Sequence, residues 1–448
     1  MTYRFLLPMR LIYVLSGLLL ALISFQAHAV PSFARQTGLA CSACHTIAPQ
    51  LNAFGRYFKL HGYVLGPEKL SGGSQKLSID QFPPLSAMII VSDSVTKEAQ
   101  QDTQNGSVQF PQQLSVFYAG AIAEHMGAFA QITYTQPDDH FSMDNTDIRY
   151  ARDASWGDLP VVWGLTLNNN PTVQDVWNST PAWGFPFISS GVAPTPTAAP
   201  MITQLGQNVA GLGAYAWLNN NWYGEFSLYR SSQTGVSAPY DSSATEVISG
   251  VAPYWRLAWE TPWATGEGQS DLEIGTFGMI THLYPGGGNS LSGPTDDYQD
   301  LGLDSQYQYI TGQNSLAVHA SYIHEHQDLN ASAFYGLAAN TSNHLNYWKL
   351  DASYYWNETY GPTVGYFNTT GSADPVLYAP APTFGSANGS PDSNGWILQW
   401  TYLPALNVQL TAQYVIYNKF NGSTNNYDGS GRSASDNNTL YLALWVLW

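Results

Sequence analysis

The only two cysteines of the 448-residue chain fall in one short run, Cys41-Ser42-Ala43-Cys44-His45, separated by two residues and followed at once by a histidine. That spacing matches the attachment pattern of haem c. Each thiol adds to one vinyl group of the porphyrin as a thioether, and the adjacent His45 reaches the iron as proximal ligand. A disulfide and a redox dithiol are the other uses of such a pair. The redox dithiol belongs on a βαβ scaffold, which the sequence lacks, and two cysteines are too few for a disulfide-stapled fold. The sixth ligand matters because a thioether raises the haem potential relative to a second imidazole. Met88 is the preferred candidate, on the inward face of the first expected strand, with His61 second.

Other polar residues carry weaker signals. Asp138-Asp139-His140, Thr295-Asp296-Asp297 and Asp300 fall in expected outer links or at their edges. Carboxylate oxygens there would attract a hard divalent cation, but no EF-hand spacing is present, and solvated loops are the plainer reading. His319, His324 and His326 lie on or near one expected strand, the last two sharing a face; they read as polarity inside a barrel or as a transient metal site. Gly286-Gly287-Gly288 is a loop and no phosphate cradle, since no strand-to-helix context follows. No nucleophile-plus-base signature is found.

The elements that hold these residues divide into three stretches. Residues 1–29 read as an export signal: Arg4 and Arg10, an apolar core from Leu11 to Phe25, and the small-x-small pattern Ala27-His28-Ala29. Removing it would take away two positive charges and no acids, moving the net charge from −17 to −19. Residues 30–84 hold both cysteines and much of the positive charge, and Leu51, Phe54, Phe58 and Leu60 have helical spacing. So short a stretch makes a weak core alone and needs a staple such as a covalent cofactor.

From Leu85 the pattern changes to period two. Val408, Leu410, Ala412, Tyr414 and Ile416 alternate with Gln409, Thr411 and Gln413, and Leu440, Leu442, Leu444, Val446 and Trp448 share one face. Residues 85–448 divide into about sixteen strands, near 85–96, 109–123, 127–136, 143–152, 160–168, 205–218, 222–231, 250–261, 270–283, 298–310, 315–327, 344–356, 362–370, 393–403, 407–420 and 437–448. Tight turns at Glu124 to Met126, Asn219 to Asn221, Thr311 to Asn314 and Pro404 to Leu406 alternate with long links such as Asn169 to Gln204, Gly371 to Asp392 and Asn421 to Asp436. An even strand count, with short turns at one end and long loops at the other, is the pattern of an all-β transmembrane barrel. A secreted β-sandwich explains the strands but not the alternation of link lengths.

Composition agrees. Only 10% of residues are charged and 14% are aromatic, with 15 Trp and 29 Tyr; a soluble domain carries about 25% charge. Mean hydropathy is −0.17, and no apolar run of about 20 residues follows the N-terminus, which excludes a helix bundle in the membrane. The acidic balance excludes nucleic acid as a partner.

Three stretches of sequence resemble a known family. They are Phe33-Ala34-Arg35-Gln36-Thr37-Gly38 before the cysteine motif, Pro49-Gln50-Leu51-Asn52-Ala53-Phe54-Gly55-Arg56 with Phe58-Lys59-Leu60-His61-Gly62-Tyr63 after it, and Phe141-Ser142-Met143-Asp144-Asn145-Thr146-Asp147-Ile148-Arg149-Tyr150 through Asn168-Asn169-Asn170-Pro171-Thr172-Val173-Gln174-Asp175-Val176-Trp177-Asn178. Together they resemble the outer-membrane fused monohaem cytochrome c–porins of iron-oxidising bacteria. The resemblance implies one covalent haem c on the periplasmic side or in the lumen of a sixteen-stranded barrel, in the outer membrane of a Gram-negative bacterium. It implies oxidation of extracellular Fe(II) and passage of electrons to a periplasmic cytochrome c or cupredoxin. Cys41, Cys44 and His45 carry over directly; the distal ligand does not. Loop acids such as Asp296, Asp297 and Asp300 would concentrate Fe(II) electrostatically. A conduit for another donor or acceptor, and a diffusion porin with a structural haem, stay open beside this reading.

Overall fold

The alternation from Leu85 onward builds a closed antiparallel barrel of sixteen long strands. The computed structural model describes residues 31–65, 73–74, 77–78, 84–100, 103–136, 139–232, 247–285 and 293–448. The expected export signal, Asp138 and Gly286-Gly287-Gly288 lie outside the described residues.

The strands are β1 (Leu85–Thr96), β2 (Ser107–Ala123), β3 (Met126–Thr135), β4 (His140–Trp156), β5 (Leu159–Asn168), β6 (Val209–Leu218), β7 (Trp222–Ser231) and β8 (Ala252–Thr265). They continue as β9 (Gly268–Tyr284), β10 (Asp296–Thr311), β11 (Asn314–Asp328), β12 (Ser342–Tyr355), β13 (Tyr360–Gly371), β14 (Ser393–Ala405), β15 (Val408–Lys419) and β16 (Thr439–Leu447). All sixteen expected strands are present. The largest departures are β4, which runs on to Trp156, β6, which starts at Val209, and β8, which runs on to Thr265. Closure places Thr439 opposite Thr96 and Leu447 opposite Met88. A two-residue strand, Val247–Ile248, pairs with the end of β9. Closure leaves no unpaired edge, which a lipid environment demands. No helix among the described residues is long and apolar enough to cross a membrane.

Side chains sort by the two-residue period, with the apolar set turned outward. On β15 Leu410, Ala412 and Tyr414 are exposed while Gln409, Thr411 and Gln413 are buried. On β16 Leu440, Leu442 and Leu444 face out while Thr439, Tyr441 and Ala443 face in. An apolar exterior over a polar interior suits lipid outside. Trp156, Trp222, Trp263, Trp356, Tyr360 and Trp448 are exposed within a few residues of the short turns, an aromatic girdle at one rim. Leu85 and Trp448 lie at this same short-turn mouth, where Ala87 and Trp448 exchange backbone hydrogen bonds of 2.9 Å.

Two segments fill the lumen. The first is residues 31–65, with helix α1 (Pro31–Thr37), a small hairpin of His45–Ile47 and Gln50–Leu51, and helix α2 (Ala53–Leu60). The second is the long link between β5 and β6. Its length suggests an outer loop, but it folds into the barrel and includes helix α3 (Met201–Gln204). The wall satisfies its backbone: Gln413 donates to the Ile188 carbonyl at 3.2 Å, Gln112 to Ser189 at 2.9 Å, Tyr417 to Pro194 at 3.3 Å and Lys349 to Phe185 at 3.3 Å. A buried chain without regular structure needs such partners. Here they come from strands on several sides of the barrel.

Candidate functional site

The cysteine motif is held by the helix that follows it. Asn52 caps α2, accepting from the Gly55 amide at 3.0 Å, and its side-chain amide donates to the Ser42 carbonyl at 3.1 Å. Its own backbone N–H donates to the Cys44 carbonyl at 2.9 Å. One residue thus starts the helix and fixes the motif against it. The approach is close enough that a Cβ on Gly55 would sit 2.2 Å from the Cys44 carbonyl oxygen, so only glycine fits there. No disulfide joins Cys41 and Cys44. Burial pushes the Cys44 thiol up to about 11, with Cys41 adding to the shift.

His45 Nδ1 lies 3.2 Å from the Gln50 carbonyl oxygen. A carbonyl only accepts, so Nδ1 carries the proton and Nε2 keeps the lone pair. Burial holds the imidazole below its usual range, against the pull of the Gln50 and Pro49 backbone. A neutral ring whose far N–H is anchored on a carbonyl is the arrangement that metal-ligating histidines use.

Cys41, Cys44 and His45 open onto a cavity of about 380 Å³, within the range of cofactor sites. Its wall is mostly apolar: Phe33, Phe58, Phe117, Phe129, Phe187, Ile188 and Trp183, with Met88 and Ile90 from β1 and Trp445 and Leu447 from β16. Met88 is buried and packs with Ile90, Phe117 and Tyr441. The cavity also has polar donors. The indole N–H of Trp445 is buried with no hydrogen-bond partner, and Lys59 reaches the wall with its ammonium 2.8 Å from the carbonyls of Val173 and Asp175. Burial, with Arg149 nearby, pulls that ammonium down to about 7, against the acids Asp147, Asp175 and Glu225. Two thiols and an imidazole on one side, a thioether on the wall, an apolar lining and an unmet N–H donor fit a porphyrin with iron at its centre and carboxylates at its rim.

His61, the second candidate for the distal ligand, is outside this lining. Its Nδ1 is 2.7 Å from the Tyr57 carbonyl, its Nε2 is 3.2 Å from Asp153, and its ring stacks on Tyr57 at 3.8 Å. The acids placed in outer links are also relocated. Asp296 and Asp300 are buried residues of β10. Asp296 accepts from the Ala331 and Ser332 amides at 3.0 and 2.9 Å, and Asp300 from the Ile202 amide at 2.9 Å. Asp297 alone stays half exposed, 2.5 Å from His282. The strand starts two residues earlier than expected, which brings Asp296 into it, and the two-residue period then turns both Asp296 and Asp300 inward. Asp139 remains exposed and accepts from the Tyr134 hydroxyl at 2.8 Å. His319 faces the lumen and is 2.9 Å from Asp351, whereas His324 and His326 are on the outer face, so lumen polarity accounts for His319 only. Among the described residues, no group of three or more His, Cys, Asp and Glu is placed to hold a metal ion.

The second face of the site was not legible in the sequence. Arg56 of α2 is fully buried and points at the acidic half of the wall. Its guanidinium donates to Glu260 at 2.7 Å and lies 3.0 Å from Asp271, with Gln306 and Gln308 at 3.3 Å. Trp177, in the β5–β6 link, donates to the other Glu260 oxygen at 3.0 Å. Arg256 pairs with Asp304 at 2.7 Å and Glu273 at 3.1 Å. Arginine on an otherwise amphipathic helix was the available signal, but its partners lie some 200 residues away in the chain.

No protein-family model matches the chain, and no curated protein matches it. Solved structures do. OmpF of Salmonella typhi, solved in complex with daunomycin, is similar at 13% identity and TM-score 0.47, over 81% of this chain and 97% of that one. An anion-selective porin from Comamonas acidovorans is similar at 11% identity and TM-score 0.44, over 81% and 98%. OprB of Pseudomonas putida is similar at 10% identity and TM-score 0.43, over 81% and 93%.

Proposed function

We propose that the protein is an outer-membrane electron conduit that takes electrons from extracellular Fe(II) and passes them through one haem c to a periplasmic cytochrome c or cupredoxin. The observation that carries this reading is the opening of Cys41, Cys44 and His45 onto a largely apolar cavity with Met88 on its wall. When bound, haem c supplies one-electron chemistry. Cys41 and Cys44 would hold the porphyrin, and His45 and Met88 would be the residues available to ligate its iron. The aromatic lining offers apolar faces to such a group. The barrel wall separates the site from lipid with an apolar band about 25 Å tall. Short turns face the periplasm in such barrels; in that orientation residues 31–65 would open to the periplasmic side, with the long loops outside. The sequence resemblance supports iron as donor; Asp296 and Asp300 take no part, because backbone amides occupy them.

The test is haem content of the purified protein followed by anaerobic addition of Fe(II). One haem per chain, reduced by Fe(II) as by dithionite, is the expected result. Reduction by dithionite alone would remove iron as donor, and absence of haem would remove electron transfer. A diffusion porin with a structural haem is disfavoured because residues 31–65 and the β5–β6 link fill the lumen. Planar-bilayer recording should therefore show little current, and steady open-channel conductance would restore that reading.

A further inference from the structure

We propose that the short-turn mouth carries a docking face for a cationic redox protein, with Phe54 and Tyr57 at its centre and an acidic rim that includes Glu124 and Asp153. This rests on the electron-conduit reading above and assigns the surface where electrons leave. Helix α2 has two sides. Gly55, Arg56, Phe58, Lys59 and Leu60 are buried, while Ala53, Phe54 and Tyr57 are exposed. Phe54 is 38% and Tyr57 41% exposed, and their rings stack at 6.4 Å. Large aromatics left on a polar-rimmed surface mark interaction sites. Ala40 and Ser42, on either side of Cys41, are exposed on the same segment. The face therefore belongs to the same segment as Ala40, Cys41, Phe58 and Lys59, which line the cavity.

Charge selects the occupant. Tyr57 stacks on His61, which bonds Asp153 at 3.2 Å, and the Asp153 side chain is 80% exposed. Gly62 packs against the β2–β3 turn that carries Glu124, itself 68% exposed. Around this mouth the described exposed charges are five acids (Glu124, Asp153, Asp158, Glu267, Glu358) against two bases, Arg35 and Arg152. A small apolar centre inside a one-sign rim suits a brief encounter with a protein of opposite charge, steered electrostatically and released quickly.

The haem-loaded protein in detergent, given a small basic cytochrome c and an acidic one of similar size, tests this. Binding is read by calorimetry and reoxidation by stopped flow. The basic cytochrome should bind at least ten times more tightly than the acidic one, and its reoxidation rate should fall about tenfold between low and moderate salt. Asp153→Asn with Glu124→Gln should slow that rate several-fold, and Phe54→Ser should weaken binding about tenfold. Haem spectrum and reduction by Fe(II) should not change in either variant. Equal binding of the two cytochromes, salt-independent rates, or wild-type binding by Phe54→Ser would each overturn the proposal. Failure of Fe(II) to reduce the haem while the basic cytochrome still binds at this face would remove iron as donor and leave the docking face standing; absence of haem would overturn the electron-conduit reading instead.

Discussion

A methionine on a strand is ordinarily filler, and only its neighbours give Met88 a role. It faces inward because the two-residue period of β1 puts Ser86, Met88 and Ile90 on one side, and it lines the same cavity as His45. As the distal ligand, Met88→Ala should lose the low-spin methionine-ligated spectrum and lower the haem potential, and Met88→His should restore a low-spin spectrum at a lower potential still. An unchanged reduced spectrum in Met88→Ala would exclude it. At this scale the sequence was informative where chemistry fixes spacing, as in the cysteine motif, and along β1, where periodicity fixes facing. It was silent on Gly55 and Trp445, whose roles come from contacts with Cys44 and the cavity that no local pattern encodes.

Helix α2 connects two halves of the lumen that differ in kind. One half, from β1, β2, β3 and β16, is apolar and borders the cavity; the other, from β8 to β10, is acidic and receives Arg56. Removing one partner from a buried ion pair costs about 3–5 kcal/mol, because the remaining charge stays buried. Arg56→Ala should therefore unseat residues 31–65, leaving Glu260 and Asp271 without their cation, while the barrel persists. Limited proteolysis should then cut within the first 65 residues, with heat-modifiable migration on gels retained. Protection equal to wild type would show that Arg56 does not anchor the segment. The helix itself was legible from its spacing, and the strands from their alternation. The path of the β5–β6 link was not, because its length matches an outer loop and its apolar residues follow no period that marks them as facing a lumen.

Across the whole molecule, inversion of the usual pattern governs the arrangement: apolar side chains outside, charge and the cavity within. The strand count, the turn alternation and the low charge were all readable because each repeats many times along the chain. The placement of the cysteine-motif segment inside the ring is a single event and left no repeating trace. It has a consequence in time. The hydrogen bonds between β1 and β16 join the start of the barrel to its last strand, so the ring can close only when the chain is complete, and it closes around residues near the N-terminus. Any enzyme that attaches a porphyrin to Cys41 and Cys44 must therefore act before the seam forms. Chains held in the periplasm by depleting the insertion machinery should already stain for haem; haem-free chains there, with haem only in the folded barrel, would reverse that order.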